Sequence, residues 1–334
     1  MRVYPTAKSF LVIRCDKIGD MVCTTPLFTA LRARFPDAQI CALANTYNSV
    51  VLERNPFIDH VYTLGADDER LGNTRVWHWL MRNLPEIMTL REVGFDYVIQ
   101  ASRSTSRRHK IFGRLLGARH YLTRAHDPEV GHEVIRTLSV LNQAGIYLEV
   151  APPRIFPSPE GVGKARALLG SVTAGHALTA VHLGAQRADN RWPREHYREL
   201  IKRIAQRGRV VVLWFPGSEE RLGQPGDDEI AKWLEQELAG LGVTFFGAKT
   251  VADLISVLAV CSNLIASDGG HCHLAAALRV PVLGLYCDAK VLEWRPWGDR
   301  NRIVSAATVP EIPIESVWRE FLMLPRVAGQ EDVT

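Results

Sequence analysis

Apolar and polar positions follow two rhythms along this chain. Short apolar runs, "SFLVIRC", "AQICALAN", "HVYTL" and "FDYVIQA", are separated by stretches with helical spacing, "TTPLFTALRARF" and the segment around Trp77 to Val93. Short strands alternating with longer helical patterns predict βαβ units and a parallel sheet. The second half repeats the logic: "ALTAVHLG", a helix near His196 to Arg207, "RVVVLWF", a helix near Asp227 to Leu238, then "VTFFG", "NLIAS", "HCHLAAAL" and "PVLGLY". It predicts a second sheet of the same kind.

Between the halves lies "APPRIFPSPEGVG", whose prolines allow neither a helix nor a central strand to persist. The pattern therefore predicts an α/β protein with two Rossmann-like, doubly wound domains facing a central cleft, residues 1–157 and 158–312. The amphipathic stretch "IPIESVWREFLML" is expected to form a helix, over 313–325, that packs back on the first domain. In open α/β sheets ligands sit beyond the carboxyl ends of the strands, so chemistry is sought there.

Composition narrows the classes. A chain of 334 residues exceeds one ordinary core, and 47% hydrophobic with 23% charged residues is the make-up of a soluble globular protein. No apolar run approaches the roughly 20 residues of a spanning helix. The six cysteines form no C-x-x-C pair and read as small core residues of a reducing compartment. A net charge of +4 suits an anionic ligand or a membrane surface and falls short of a nucleic-acid footprint. Much of the local surplus is Arg103, Arg107, Arg108, Lys110 and Arg114, after the strand "DYVIQA".

Two strand ends carry candidate chemistry. In "SDGGHCHLAAAL", a strand ending at Asp268 is followed by Gly269, Gly270 and a helix, the arrangement in which backbone N–H groups and the helix dipole hold a phosphate. His271, Cys272 and His273 are consecutive, so on a helix they point apart and cannot chelate one ion. Asp268 could bind a ribose or cap the helix, and His273 could donate to a phosphate or sit satisfied in the core. In "RCDKIGDMVCTTPL", Gly19 permits a tight turn, Asp20 projects at the strand end, and Thr25 with Pro26 is expected to open the helix as N-cap and first position. Asp20 reads as a general base or as a loop aspartate in an Asx-turn. The "GDDE" run, Gly226 to Glu229, reads as a solvated helix start.

Four separated stretches then resemble one family: "LVIRCDKIGDMVCTTPLFTALRARFPDAQI", "VHLGAQRADNRWPREHYREL", "WFPGSEE" and "SDGGHCHLAAALRVPVLGLYCDAKVLEWRPWG". The chain resembles the glycosyltransferase family 9 heptosyltransferases. That resemblance implies a GT-B fold, an ADP-sugar donor held by the C-terminal domain, a lipid-linked anionic acceptor met by the N-terminal domain, and transfer with inversion. It implies Asp20 as catalytic base, and Asp268, Gly269, Gly270 and His273 at the donor. Glu219 or Glu220 matches the acidic residue at the donor nucleoside. The family's usual phosphate-binding lysine is here Asn190, so Arg187 or Arg191 is expected to supply the cation. Arg14, Arg103 and Arg107 are expected to meet the acceptor, the lipopolysaccharide inner core. No metal or other cofactor is implied, and the protein is expected in the cytoplasm, peripheral to the inner membrane, with Trp77 and Trp79 as possible surface contacts. Two other readings stay open: a family 9 transferase for rhamnose or a hexose, and a non-catalytic scaffold that binds nucleotide sugar. An NAD-dependent oxidoreductase is disfavoured because no G-x-G-x-x-G follows the first strand.

Overall fold

The computed structural model describes residues 8–64, 83–103, 111, 113–124, 130–170, 177–185, 187–217 and 226–325. The chain divides into two compact units, Met1–Phe156 and Pro157–Thr334. In the first, strands β1 (Ser9–Ile13), β2 (Gln39–Asn45), β3 (His60–Leu64), β4 (Tyr97–Gln100) and β5 (His120–Thr123) form one sheet in the order β3-β2-β1-β4-β5. Every pairing is parallel. All five residues of β1 are buried, as a central parallel strand covered on both faces requires. Leu11 and Ile13 pack with Cys41, Leu43, Val98 and Phe95 on one side of this sheet.

Helix α1 spans Ile18–Arg34, eight positions earlier than Pro26 led the sequence reading to expect. Pro26 lies inside the helix, and Thr25 is not its N-cap. A proline in a helix leaves the carbonyl four residues back without its N–H partner. Here that carbonyl is Val22 O, and the Thr25 hydroxyl donates to it at 2.8 Å. The threonine that looked like a helix start repairs the helix at its proline. Gly19 and Asp20 therefore stand in the first turn of α1 rather than in a tight turn before it. Further along the unit come α2 (Leu84–Val93), ended by the left-handed Gly94, and α3 (Glu133–Leu138).

The second unit opens with α4 (Pro159–Leu169), where Ser158 is the N-cap and Pro159 the first helical residue. Its six strands are β6 (Leu178–His182), β7 (Arg209–Trp214), β8 (Thr244–Gly247), β9 (Asn263–Ser267), β10 (Val282–Cys287) and β11 (Arg302–Ala306). They lie parallel in the order β11-β10-β9-β6-β7-β8. Helices α5 (Arg194–Ala205), α6 (Asp228–Glu237), α7 (Val251–Leu258), α8 (Gly270–Ala277) and α9 (Asp288–Trp294) connect them. Helix α10 (Ile314–Leu322) corrects the expected return to the first domain: Val317 and Phe321 are buried in the second unit's own core with Trp192, Leu285 and Ile312.

In both sheets the strand order reverses beside the first strand of the unit, at β1/β4 and at β6/β9. These are topological switch points, where the connections leave to opposite sides and open a crevice at the carboxyl ends. Among the described residues no helix is long and apolar enough to cross a membrane.

Candidate active site

At the first switch point β1 is followed by Arg14, which is fully buried. Its Nη1 donates to Ala101 O, just past β4, at 2.6 Å. Its Nη2 donates to Asp20 Oδ1 at 2.5 Å and to Glu133 Oε1 at 3.0 Å. Its Nε lies 3.0 Å from Asp16 Oδ2, an ion pair without hydrogen-bond geometry. Glu133, also fully buried, takes two more bonds from Arg124: Nη1 to Oε1 at 2.5 Å and Nη2 to Oε2 at 3.1 Å. Burial alone would raise the Glu133 carboxyl, but the Arg124 hydrogen bond and the Arg14 charge outweigh it and hold it below the ordinary value. Burial also works against the Arg14 charge, and Asp20, Asp16 and Glu133 together push its ionisation up.

Asp20 is the third residue of α1. Its Oδ2 accepts the Lys17 N–H at 3.1 Å, so the side chain caps the helix while Oδ1 faces Arg14. The loop between β1 and α1 is fixed by two asparagines: Asn45 Nδ2 donates to Cys15 O at 2.8 Å, and Asn48 Nδ2 donates to Asp16 O at 3.1 Å. Arg14, expected at the acceptor, has no surface to offer; its work is to hold carboxylates. Arg103 is exposed on the loop two residues past Ala101. Arg107, Arg108 and Lys110 lie outside the described residues, as do Trp77, Trp79, Glu219 and Glu220.

At the second switch point β6 ends in His182, and Gly184 follows with φ +72°, in the left-handed region. A Cβ there would also fall 2.1 Å from the Asp227 carboxylate, so glycine is required twice over. Asp227 is buried and ion-pairs with Arg191 at 3.0 Å. Asp228 accepts from Trp214 Nε1 and from the Gly217 N–H, both at 2.8 Å. The run Gly226 to Glu229 starts a helix as expected, with Asp228 and Glu229 exposed on its first turn. The correction is confined to Asp227, which is buried; the two aspartates also fasten the loops around Gly184 and Gly217.

Across the crevice, β9 ends before Asp268, and Gly269 precedes α8 without a side-chain cap on the helix. Asp268 does not cap α8; Asn190 Nδ2 donates to its Oδ2 at 3.4 Å. Asn190 is buried and also accepts from Cys287 Sγ at 3.2 Å. The two arginines expected to replace the lysine are each matched to an aspartate: Arg187 is bidentate to Asp189, at 3.0 and 2.8 Å, and Arg191 meets Asp227. His273 is buried, with its ring edge-on to Trp294.

Beneath this helix end is a feature the sequence reading missed. The His182 and His271 rings stack with centroids 4.0 Å apart. His271 Nε2 lies 2.7 Å from Ser267 O, which makes it the donor, while neither ring nitrogen of His182 makes a hydrogen bond. Burial pushes His271 down to about 4; burial, with His271 adding, lowers His182 well below the ordinary value. The unfolded chain takes up these protons below about 6.5 and the folded chain does not, so stability is complete above that pH and is lost as pH falls toward 4. His271→Gln is expected to remove on the order of 3 kcal/mol of that loss between pH 6.5 and 4. Urea unfolding of both proteins at the two pH values checks it; parallel losses would refute the assignment.

The first unit thus carries a carboxylate fixed near the end of β1, and the second an uncapped helix preceded by Asp-Gly. The family model of glycosyltransferase family 9 (heptosyltransferase) matches residues 89–317. The chain belongs to that family. Lipopolysaccharide heptosyltransferase 3 of Escherichia coli K12 is 27% identical over 84% of this chain and 82% of its own length. A family 9 glycosyltransferase structure from Veillonella parvula superposes with TM-score 0.78 at 18% identity, covering 95% of this chain and 97% of that one. The E. coli heptosyltransferase WaaC with ADP gives 0.71 at 19% identity over 94% and 99%. This family 9 chain therefore has the two parallel-sheet domains its strand pattern predicted and the GT-B fold the resemblance implied, and it is a glycosyltransferase.

Proposed function

We propose that this glycosyltransferase moves a heptose from ADP-heptose to a sugar of the lipopolysaccharide inner core, with inversion and without a metal. The observation that carries the reading is Asp20, a carboxylate immobilised by Arg14 and Lys17 N at the first switch point. Asp20 takes the proton of the acceptor hydroxyl while that oxygen attacks the anomeric carbon, and ADP departs with the electrons of the broken C–O bond. The negative charge gathering on the diphosphate falls at the N-terminus of α8, at Gly269 and Gly270, where backbone N–H groups and the helix dipole favour it. Asp268, Asn190 and His273 border that place. The ADP in the E. coli structure supports the same nucleotide here, and the heptosyltransferase relatives support the sugar. Acceptor contact falls to exposed basic residues such as Arg103 and to Arg107, and the lipid carrier places the enzyme on the inner face of the membrane.

One observation favours a second reading, a protein that binds nucleotide sugar without turnover or uses a different donor. Asn190 brings no charge to Asp268, and Arg187 and Arg191 are both paired with aspartates. A transfer assay with ADP-heptose and Kdo-lipid A, run beside calorimetric ADP binding, decides between the two. Transfer by the wild type is expected, and Asp268→Ala is expected to weaken ADP binding about tenfold or more, as loss of a hydrogen bond to a charged group does. ADP binding with no transfer to any core acceptor would hand the case to the second reading.

A further inference from the structure

Asp16 and Asp20 grip one guanidinium from different sides. Asp16 Oδ2 faces Nε of Arg14 at 3.0 Å, and Asp20 Oδ1 accepts from Nη2 at 2.5 Å. The guanidinium cannot swing toward either one, because Nη1 is held on Ala101 O and Nη2 is shared with Glu133. Arg124 in turn holds Glu133 twice and meets the same Ala101 carbonyl at 3.1 Å. Three carboxylates thus face two guanidiniums, an excess of one negative charge when all are ionised.

That excess has one outlet. Glu133 is held ionised by both arginines, whereas Asp16 is pushed up to about 6, by partial burial first, against the pull of Arg14 and with the charges of Asp20 and Glu133 adding. Asp16 is also the reachable member, its side chain 32% exposed against 15% for Asp20 and none for Glu133. The charged groups that face it are Arg14 past β1, Asp20 on α1, Glu133 on α3 and Arg124 past β5, with Lys17 next to it in the chain. From the β2 side Asn45 and Asn48 reach only its carbonyl.

We propose that Asp16 is a positioning residue for the Asp20 base: by drawing on Arg14 through Nε it limits the hold of that guanidinium on Asp20, and when Asp16 is protonated the whole hold falls on Asp20. The proposal rests on Asp20 being the base, as read above. Its sign follows directly. Above about pH 6 Asp16 is an anion, the Arg14 charge is divided, and Asp20 accepts a proton from the acceptor more readily. Below it Asp16 is neutral, Arg14 stabilises the Asp20 anion more fully, and the base is weaker. Turnover falls as pH drops through about 6 because of a residue that does not itself take the acceptor's proton.

Two readouts on the full-length protein test this. In carbon NMR of protein labelled at the aspartate carboxyls, Asp16 is expected to titrate near 6 and to move down by about one unit in Asp20→Asn, since a like charge has gone. An unmoved Asp16 would mean that the two carboxylates are not coupled, and the proposal would fall without any substrate being needed. In the transfer assay, wild-type kcat is expected to show a limb near pH 6 that Asp16→Asn lacks, the variant staying several-fold to tenfold below the wild type at pH 7.5 with KM unchanged. Asp16→Ser, with its thermal unfolding measured alongside, separates this from damage to the loop. A pH profile of Asp16→Asn parallel to the wild type overturns the positioning role while leaving Asp20 as base. Transfer that survives in Asp20→Asn overturns the base reading instead.

Discussion

Glu133→Ala is expected to destabilise the protein by roughly 3–5 kcal/mol, the cost of removing one partner from a buried ion pair. Burial gives the reason. Arg14, Arg124 and Glu133 are nine-tenths or more out of solvent, and Glu133 is the carboxylate that both guanidiniums share. Without it, Arg124 keeps the Ala101 carbonyl from this cluster, and the positive charge buried there loses its nearest counter-charge. Glu133→Gln keeps shape and one acceptor oxygen, so it is expected to fall between wild type and alanine. Removing Glu133 and Arg124 together takes away one charge of each sign and should cost less than the sum of the single changes. Urea unfolding of the five proteins, wild type, the two Glu133 variants, the Arg124 variant and the double variant, measures this. A Glu133→Ala protein as stable as the wild type would show that the cluster is not what pins the end of β1 to α3.

The periodic signals carried the fold a long way. The apolar runs at β1, β6 and β9 read as strands of parallel sheets because they alternate with helical stretches, and every residue of the three strands is buried, Ser9, Thr179, His182, Asn263 and Ser267 included. Asp268, Gly269 and Gly270 were legible because strand, glycine pair and helix lie within one short stretch. Where a second residue far along the chain decides the outcome, the sequence was silent. Arg14 looked like a basic group for a ligand, and only the folded chain brings Glu133, 119 positions away, onto the same guanidinium. Pro26 was read by its usual place at a helix start, because a threonine hydroxyl standing in for the missing N–H leaves no pattern of its own. Asp227 looked solvated for the same kind of reason: it meets Arg191 and stands over Gly184 only once β6 and β7 lie side by side. His182 and His271 come from adjacent strand ends, and no spacing rule joins them. Strand and helix periodicity was readable; the hydroxyl repair at Pro26 and the matching of buried charge were not.

Asp20→Ala is expected to lower kcat by about 10²–10⁴-fold, the usual contribution of a positioned general base, with ADP affinity unchanged. The fold should survive, for reasons the same cluster supplies. Deleting Asp20 leaves Asp16 and Glu133 facing Arg14 and Arg124, so the excess negative charge disappears and no buried charge is stranded. What is lost structurally is the Arg14 Nη2 bond to Oδ1, from a guanidinium that keeps Glu133 and Asp16, and the bond from Lys17 N to Oδ2, an N-terminal helix contact whose removal costs about 1 kcal/mol. Asp20→Asn retains an oxygen for that bond and should recover most of the stability while recovering none of the turnover. Stability and catalysis are thereby pulled apart at one position. The donor site proposed around Asp268 and α8 belongs to the other unit, so on that reading calorimetry of ADP binding should give the same value for all three proteins. Equal turnover in wild type and Asp20→Ala would remove Asp20 from the chemistry; a joint loss of turnover and ADP binding would mean that the substitution acts through the structure instead.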